Sequence, residues 1–235
     1  MTASDRSPFR WPPSIDAVWI AMPLFVVAVR TLLQPIPPED YWWHLAMGRL
    51  IDGGALPTTN MFLYTLPVDA PFYDQPWLAQ WVMYLVARGG GHVATVGLHT
   101  ALLVGTWSYL VRHALTRGAI PIVVGIAAAL AHYVAASTLV PRTQMFAYPC
   151  FVAVVVVLLA SADGRCGRAR LWVTVGVATL VWANVHGSFV LAPILVAAVM
   201  GGAILEGVRR RFRPDERRSA AGRPVSDRHL RPARP

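Results

Sequence analysis

Asp40 and His44 are the first residues whose types and spacing suggest chemistry. They lie four positions apart in the stretch PPEDYWWHLAMGRLIDGG, between two long apolar runs. If this stretch is helical, the two side chains share one face and can converge on a ligand or a proton. The structural alternatives are that Asp40 caps the helix N-terminus and that His44 is a polar residue at the level of the lipid headgroups. The pair therefore indicates a site only if other groups join it.

Two short polar segments further along the chain contain candidates for such groups. PRTQ contains Arg142 and Gln144, and NVHGS contains Asn184 and His186. Donors from separate loops that meet at one membrane face are what an anionic lipid headgroup requires. Taken singly, Arg142 also fits an interfacial anchor and Asn184 also fits the end of a helix. Together the four residues are candidates for binding such a headgroup.

The remaining polar residues of the apolar part indicate no site. Tyr64, Asp69 and Asp74 fit ordinary solvation or turn formation in a loop. The spacings typical of metal sites, phosphate-binding loops and nucleophile elbows are absent. The sequence therefore indicates neither a metal ion nor another cofactor. Four histidines are scattered within or beside apolar runs and receive no role: His92, His99, His113 and His132.

Composition places these residues in an integral membrane protein. Of the 235 residues, 55% are hydrophobic and 14% are charged, and the mean hydropathy is +0.47, which is far from an ordinary soluble domain. All the basic residues are Arg, and ten of them lie in residues 209–235. A basic tail beside a membrane segment is typical of contact with anionic lipid or of topology control. We therefore expect membrane lipid, and no nucleic acid, among the partners.

Six apolar runs are long enough, alone or with their flanks, to cross a bilayer, which takes about 20 residues per helix. The run WLAQWVMYLVAR at 77–88 is shorter, and the glycines at 89–91 end it, so we expect an interfacial or re-entrant helix there. The predicted fold is an all-α polytopic membrane protein, with about six transmembrane helices in residues 17–205. The six runs are roughly 17–33, 93–111, 119–140, 145–162, 171–183 and 189–205.

The arginine distribution predicts the orientation of these helices, because short loops rich in Arg stay cytoplasmic. With six spans, the Arg residues near both chain ends and in the loops between runs two and three and between runs four and five fall on one side. We therefore expect a multi-pass protein of the inner (plasma) membrane with a cytoplasmic N-terminus at 1–16. A basic, disordered cytoplasmic tail is expected at 206–235. Residues 34–92 then form a long first extracytoplasmic loop.

Interfacial helices are expected within this loop. YWWHLAMGRLID should be helical and end at Gly53 and Gly54, and its two tryptophans fit the headgroup region. The next segment, 55–76, carries four prolines and four aromatic residues, and flexible linkers are seldom so aromatic. We expect an ordered loop there. One side of the predicted helix comprises Trp42, Leu45, Ala46, Arg49 and Leu50.

The order of motifs along the chain resembles one known family. D-x-W-W-H-L-x-x-G-x-x-I is followed by L-P-T-T-N-x-F-x-Y-T, W-L-A-Q, R-x-Q-x-F and W-A-N-x-H-G-x-F. This order is similar to the N-terminal part of bacterial multi-pass membrane glycosyltransferases of the GT-C class, those with a protein mannosyltransferase-like module. The resemblance covers about residues 17–205. It departs at R-T-Q for the usual R-P-Q, at Asn60 for a common Asp, and at Ser188 for a Gly.

This resemblance implies that the protein transfers a sugar from a polyprenyl-phosphate carrier to an acceptor on the extracytoplasmic face. It implies that Asp40 is the general base acting on the acceptor hydroxyl. Asn60 cannot accept a proton as an Asp would, which argues against a second acidic group at that position. Members of the class carry more helices, so we expect the chain to be an incomplete enzyme. Substrate contacts are expected from His44, Arg142, Gln144, Asn184 and His186.

Two further functions stay open at this level. A small transporter component is expected to place polar groups at the bilayer midplane, whereas the runs here are dominated by Ala, Val, Leu and Gly. A non-catalytic membrane subunit would bind a membrane protein partner through the long outer loop. Copurification with a partner, without binding of polyprenyl phosphate, would favour the subunit.

Overall fold

The computed structural model describes residues 14–38 and 40–212. In this part of the chain all regular elements are helices. Predictions that concern residues 1–13, Glu39 and 213–235 lie outside the described residues. A 3₁₀ turn precedes α5 at Thr143–Phe146 and another precedes α7 at Gly187–Val190. The α-helices are α1 (Ile15–Leu33), α2 (Asp40–Asp52), α3 (Trp77–Thr116), α4 (Pro121–Ala135), α5 (Ala147–Ala162), α6 (Arg168–Val185) and α7 (Leu191–Phe212).

Helix α3 contains a sharp break. Gly90 has φ −142° and ψ 18°, and Gly91 has φ +67° and ψ −169°, a backbone conformation that is essentially restricted to glycine. The break falls in the run of three glycines at which the sequence predicted the helix to end. We refer to residues 77–89 as the N-terminal arm of α3 and to residues 92–116 as its C-terminal arm.

Helix α2 forms from the stretch predicted to be helical and ends before Gly54, which has φ +85°. It packs closely on the N-terminal arm of α3 at Gly48, where an added Cβ would lie 2.6 Å from the Cβ of Tyr84 and still closer to the Gln80 carbonyl oxygen. Trp42 and Arg49, on the side of α2 described from the sequence, are exposed. The face of α2 that is buried contains the small residue at the close approach: Tyr41, His44, Met47 and Gly48.

Length and composition support fewer spans than the sequence analysis predicted. Helix α4 has 15 residues, because residues 136–138 form a turn where the predicted run continues. Helix α6, which includes Arg168 and Arg170, also does not combine the length and the apolar composition of a membrane span. The count of six is therefore not confirmed. Within the described part of the chain, four segments are long and apolar enough to cross a membrane: Ile15–Leu33, Trp77–Thr116, Thr143–Ala162 and Gly187–Arg209.

Contacts between helix ends define two ends of the unit formed by the residues up to Ala192. Arg117 at the end of α3 and Arg165 after α5 both form ion pairs with Asp163, the Arg165 pair at 2.6 Å. Helix α6 begins close by in sequence, at Arg168. We name this the Arg-rich end.

The opposite end of the same unit, which we name the polar end, contains the start of α3 and the end of α6. The Gln75 amide, just before α3, donates to the backbone carbonyl oxygen of Ala183. Helix α4 also finishes here, because Arg30 near the end of α1 donates to the carbonyl oxygen of Ala136 at 3.2 Å. Helices α3, α4, α5 and α6 thus each run from one end to the other.

From Pro193 onward the chain forms a second compact unit, whose helical part is described by itself. This part of α7 is apolar, with exposed Ile194, Met200 and Ile204 side chains. Helix α7 continues through Glu206 to Phe212, whereas disorder was predicted from residue 206. Glu and Arg are good helix formers. The helix therefore continues beyond residue 205, where the apolar run ends.

Candidate functional site

An ion pair between Asp40 and Arg142 marks the centre of the polar end. Asp40 is the first residue of α2, and Arg142 has an extended backbone just before the 3₁₀ turn that leads into α5. Arg142 Nη1 lies 3.4 Å from Asp40 Oδ2, although the two residues are 102 positions apart. The pair is long and the Asp40 side chain is 58% exposed, so the attraction is weak. Both groups are therefore available to a ligand.

His44 lies one helical turn after Asp40 and is buried. Its Nδ1 is 3.4 Å from Nε2 of Gln80, and since an amide nitrogen only donates, Nδ1 accepts and the ring proton is on Nε2. Burial lowers the pKa of His44 to about 4; the Asp40 charge opposes this shift, and the charges of Arg142 and His186 add to it. His44 is therefore a neutral N–H donor near neutral pH.

Gln80 and Asp74 extend this network. Gln80 is fully buried on the N-terminal arm of α3, and its Nε2 also donates to Asp74 Oδ1 at 3.0 Å. Burial raises the pKa of Asp74, and the hydrogen bond from Gln80 partly offsets the rise. Asp74 was interpreted from sequence as a solvated or turn residue, but here its carboxylate is hydrogen-bonded and half-buried.

Three buried polar atoms in this region have no hydrogen-bond partner among the described residues. They are Asp74 Oδ2, Gln80 Oε1 and Arg142 Nε. Two of them are acceptors and one is a cationic donor. Buried polar groups are normally hydrogen-bonded, and an unpaired one costs free energy. These atoms are therefore suited to a ligand that carries both hydroxyl groups and anionic oxygens.

His186 is held by a local network that involves one of the departures from the family motif. Ser188 accepts a hydrogen bond from Trp182 Nε1 at 3.0 Å, and its hydroxyl lies 2.7 Å from His186 Nδ1, which also accepts from the Ser188 backbone N–H. The His186 proton is therefore on Nε2. Burial, reinforced by the Arg142 charge, lowers the pKa of His186. A glycine at position 188 could not make the hydroxyl contacts.

Asn184 and Gln144 are placed differently from the other predicted site residues. Asn184 Oδ1 accepts from Trp77 Nε1 at 2.8 Å, and Asn184 Nδ2 donates to the Leu180 carbonyl oxygen. The bond from Trp77 joins the start of α3 to the end of α6, and the bond to Leu180 lies within α6. Gln144 is half-buried in the 3₁₀ turn, and within the described residues no side-chain hydrogen bond joins it to the cluster.

Asn60, where an Asp is common in the motif, has a structural role. It is 5% exposed; its Nδ2 donates to the carbonyl oxygens of Leu63 and Leu66 at 2.7 and 2.9 Å, and its Oδ1 accepts from the Leu63 N–H at 2.8 Å. A carboxylate could not donate these bonds. The second carboxylate of the region is instead Asp74.

No protein-family model, curated protein or solved structure matches this chain. The resemblance to the GT-C class therefore rests on the motif residues themselves. Of these, Asp40, Arg142 and His186 lie close enough to His44 at the polar end for their charges to act on its imidazole. In the described part of the chain, no group of three or more His, Cys, Asp and Glu side chains is placed to hold a metal ion.

Sequence reasoning missed Asp74 and Gln80 as members of the cluster. A signal was present, because Gln80 is a polar residue inside the apolar run 77–88. An amide in such a run needs hydrogen-bond partners if it is buried. The Asp74 role had no comparable local signal, since carboxylates are ordinary in turns.

Two apolar grooves lie apart from the cluster, along the C-terminal arm of α3. The first, about 340 Å³, lies between this arm and α5, and the second, about 280 Å³, lies between it and α4. None of the cluster residues lines either groove. The first is lined by Ala101, Leu102, Gly105, Thr106, Tyr109, Pro149, Val152 and Ala153.

Proposed function

We propose that this chain is a membrane glycosyltransferase, or the N-terminal part of one, that moves a sugar from a polyprenyl-phosphate carrier to an acceptor outside the cytoplasm. The observation that carries the proposal is the Asp40–Arg142 pair together with the unpaired buried atoms of Arg142, Gln80 and Asp74, of which Gln80 contacts His44 and Asp74. The Arg142 donor suits a phosphate oxygen, and the Asp74 and Gln80 acceptors suit sugar hydroxyls. A glycosyl phosphate combines both kinds of group.

In the proposed reaction, Asp40 acts on the acceptor hydroxyl. Its carboxylate takes the hydroxyl proton while the acceptor oxygen forms a bond to the anomeric carbon of the sugar. The bond from that carbon to the phosphate oxygen breaks, and its electron pair leaves with the polyprenyl phosphate. Arg142 stabilises the charge on the leaving phosphate. Neutral His44 and His186 supply N–H donors without adding positive charge.

The proposed topology has six transmembrane helices, with the polar end outside the cytoplasm. Helices α4 and α6 run between the same two ends as α3 and α5, which supports counting them as spans. The ion pairs and flanking arginines of the Arg-rich end support its cytoplasmic orientation. This arrangement puts both termini in the cytoplasm of a cell with its sugar carriers in the inner (plasma) membrane.

A binding experiment tests the donor part of the proposal without knowledge of the sugar. The protein in lipid nanodiscs is titrated with a polyprenyl monophosphate, and binding is read by native mass spectrometry. Arg142→Gln should weaken binding by about tenfold or more, because a charge-assisted hydrogen bond is lost. Arg49→Gln is the matched control, since Arg49 is an exposed arginine of α2 and should bind like the parent protein. Equal binding by the Arg142 variant would contradict the proposal.

An activity experiment tests the catalytic assignment. With a panel of polyprenyl-phosphate hexoses and pentoses, Asp40→Asn should lower transfer by about 10²–10⁴-fold, the typical contribution of a general base. Membrane insertion and binding of the polyprenyl phosphate should stay intact. The control is Asp69→Asn, an exposed carboxylate of the same outer loop. Full transfer by the Asp40 variant would exclude Asp40 as the base.

A small transporter component is the second candidate, and one observation favours it. Thr95 and His99 lie one turn apart on the C-terminal arm of α3 and are both fully buried, so the predicted apolar spans do contain polar groups. Ionisable residues inside a membrane segment often mark a transport path. In a transferase, His99→Leu should retain sugar transfer. Loss of transfer in that variant, with folding and polyprenyl phosphate binding intact, would favour a functional path through the bundle.

A further inference from the structure

The tip of the loop between α2 and α3 presents apolar side chains outward. We name residues 61–68 the apolar loop. Tyr64 is 98% exposed and Val68 is 80% exposed. Soluble surfaces seldom concentrate so many exposed apolar side chains in one short segment. The exposed apolar residues are Met61, Phe62, Leu63, Tyr64, Leu66 and Val68.

The apolar loop is ordered, so its exposed side chains are held in place. Its base is closed by antiparallel pairing of Thr59 with Pro71, with hydrogen bonds from Asn60 N to the Ala70 carbonyl oxygen and from Phe72 N to the Thr58 carbonyl oxygen, both 2.8 Å. Fixing the loop beforehand removes the entropy cost of ordering it upon contact with another surface.

Part of the backbone of the apolar loop is hydrogen-bonded from within. The buried Asn60 side chain accepts from the N–H groups of Phe62 and Leu63 and donates to the carbonyl oxygens of Leu63, Leu66 and Pro67. Backbone groups that enter a bilayer must be paired internally, because hydrocarbon offers no partners. The bonds from Asn60 reduce the number of backbone groups that the loop would carry unpaired into hydrocarbon.

The surroundings of the apolar loop fit a bilayer surface. Residues 53–68 contain no charged side chain, and the aromatic side chain of Trp43 in α2 packs on Phe62 at 4.6 Å and on Phe72 at 6.1 Å. Tyr73 is 88% exposed beyond the loop, and an exposed tyrosine is typical of the level where bilayer and water meet.

We propose that the apolar loop inserts into the bilayer leaflet at the polar end and anchors α2 there. The occupant is lipid rather than protein, because the loop is tethered between α1 and α3, both long and apolar enough to span. A bilayer is therefore always within reach of it. The anchor would fix the helix that carries Asp40 and His44 relative to the membrane surface. The proposal does not depend on the glycosyltransferase assignment.

Site-directed labelling tests the anchor in the intact chain. Tyr64→Cys is made in a background with Cys150→Ser and Cys166→Ser and labelled with a nitroxide. In proteoliposomes, the label at position 64 should be accessible to oxygen and protected from a water-soluble nickel complex. Ala55→Cys is the matched control, because Ala55 is exposed between the end of α2 and the apolar loop and its label should be accessible to the nickel complex.

Two results would overturn the proposal. One is equal nickel accessibility at positions 64 and 55 in proteoliposomes, which would leave the loop in water. The other is protection at position 64 that appears only at a high protein-to-lipid ratio, which would mean that a second protein copy covers the loop. A further variant, Tyr64→Cys combined with Leu63→Asp, should raise nickel accessibility if the bilayer is the occupant, since a charge opposes insertion.

Discussion

At the scale of single residues, burial decides the chemistry of the candidate site. Asp40 stays largely exposed at the start of α2, whereas His44, one turn later, is 7% exposed. The carboxylate therefore stays accessible from outside the protein, while the imidazole is kept neutral. A charged imidazole beside Arg142 would also repel that cation. The two residues thus differ in charge and access despite sharing a face.

The pH dependence of stability follows from His44. Its folded-state pKa of about 4 lies below the unfolded value of 6.5, so only the unfolded chain takes up a proton as the pH falls below about 6.5. The free energy of unfolding should fall by up to about 3 kcal/mol between pH 6.5 and pH 4, and should not depend on His44 above that range. His186, with a lowered pKa, contributes with the same sign.

Unfolding in detergent at pH 8, 6.5 and 5 measures this effect. The matched variant is His44→Gln, which keeps a hydrogen-bonding side chain but does not titrate, and it should show a smaller loss of stability between pH 6.5 and pH 5. An unchanged slope in the variant would mean that His44 is not buried in its neutral form.

Asn60→Asp is a sensitive test of the loop. It keeps the size of the side chain but places an oxygen against the carbonyl groups that now accept from Nδ2. Leaving buried polar groups unpaired costs about 1–3 kcal/mol, so the loop should open locally. Hydrogen exchange at the Leu63 amide should become faster, whereas amides in the C-terminal arm of α3 should keep their protection. Unchanged exchange at Leu63 would contradict the assigned role.

At the scale of elements, the contact of α2 with the N-terminal arm of α3 positions the site. Gly48 lies against the backbone of Gln80, and Gln80 holds both His44 and Asp74. A single close approach between two helices therefore helps to set the distances among three polar side chains of the candidate site. Small residues allow such approach because no Cβ stands between the backbones.

Gly48→Ala should separate these two helices. The added Cβ would overlap backbone atoms of Gln80, and overpacking of this kind costs about 1–3 kcal/mol. The thermal midpoint in detergent should fall, and polyprenyl phosphate binding should weaken with it. Gly97→Ala is the matched control, because its Cβ would meet nothing within 4 Å and alanine favours a helix over glycine. Equal midpoints for the two variants would mean that the contact at Gly48 is loose.

At the scale of the whole molecule, the two ends of the first unit should face opposite sides of a membrane. Native Cys166 lies in the loop at the Arg-rich end, and Tyr73 is exposed near the polar end. In a Cys150→Ser background, a membrane-impermeant maleimide should label the Tyr73→Cys variant in spheroplasts, whose plasma membrane is intact. Cys166 should react only after the membrane is permeabilised. Labelling of both positions from the same side would exclude the six-span topology.

Local patterns in the sequence determined much of the fold of this protein. Apolar runs, the Gly54 end of α2 and the glycine break in α3 depend on residues close to one another in the chain, so periodicity and backbone preference predicted them. The polar character of the two short segments around Arg142 and His186 was likewise readable from the sequence. Helix α4 ends earlier than predicted, at a turn of Ala136, Ser137 and Thr138 that the predicted run 119–140 had included.

The tertiary structure alone decided which polar residues meet. The Asp40–Arg142 pair joins residues 102 positions apart, and the His44–Gln80 contact spans 36 positions. No local preference encodes such contacts, because they depend on how helices dock and on which side chains lose water when they do. Local preference predicted an apolar helical chain with short polar segments. The docking of α2 on α3 at Gly48 brought Gln80 and Asp74 together with His44 and buried the imidazole in its neutral form.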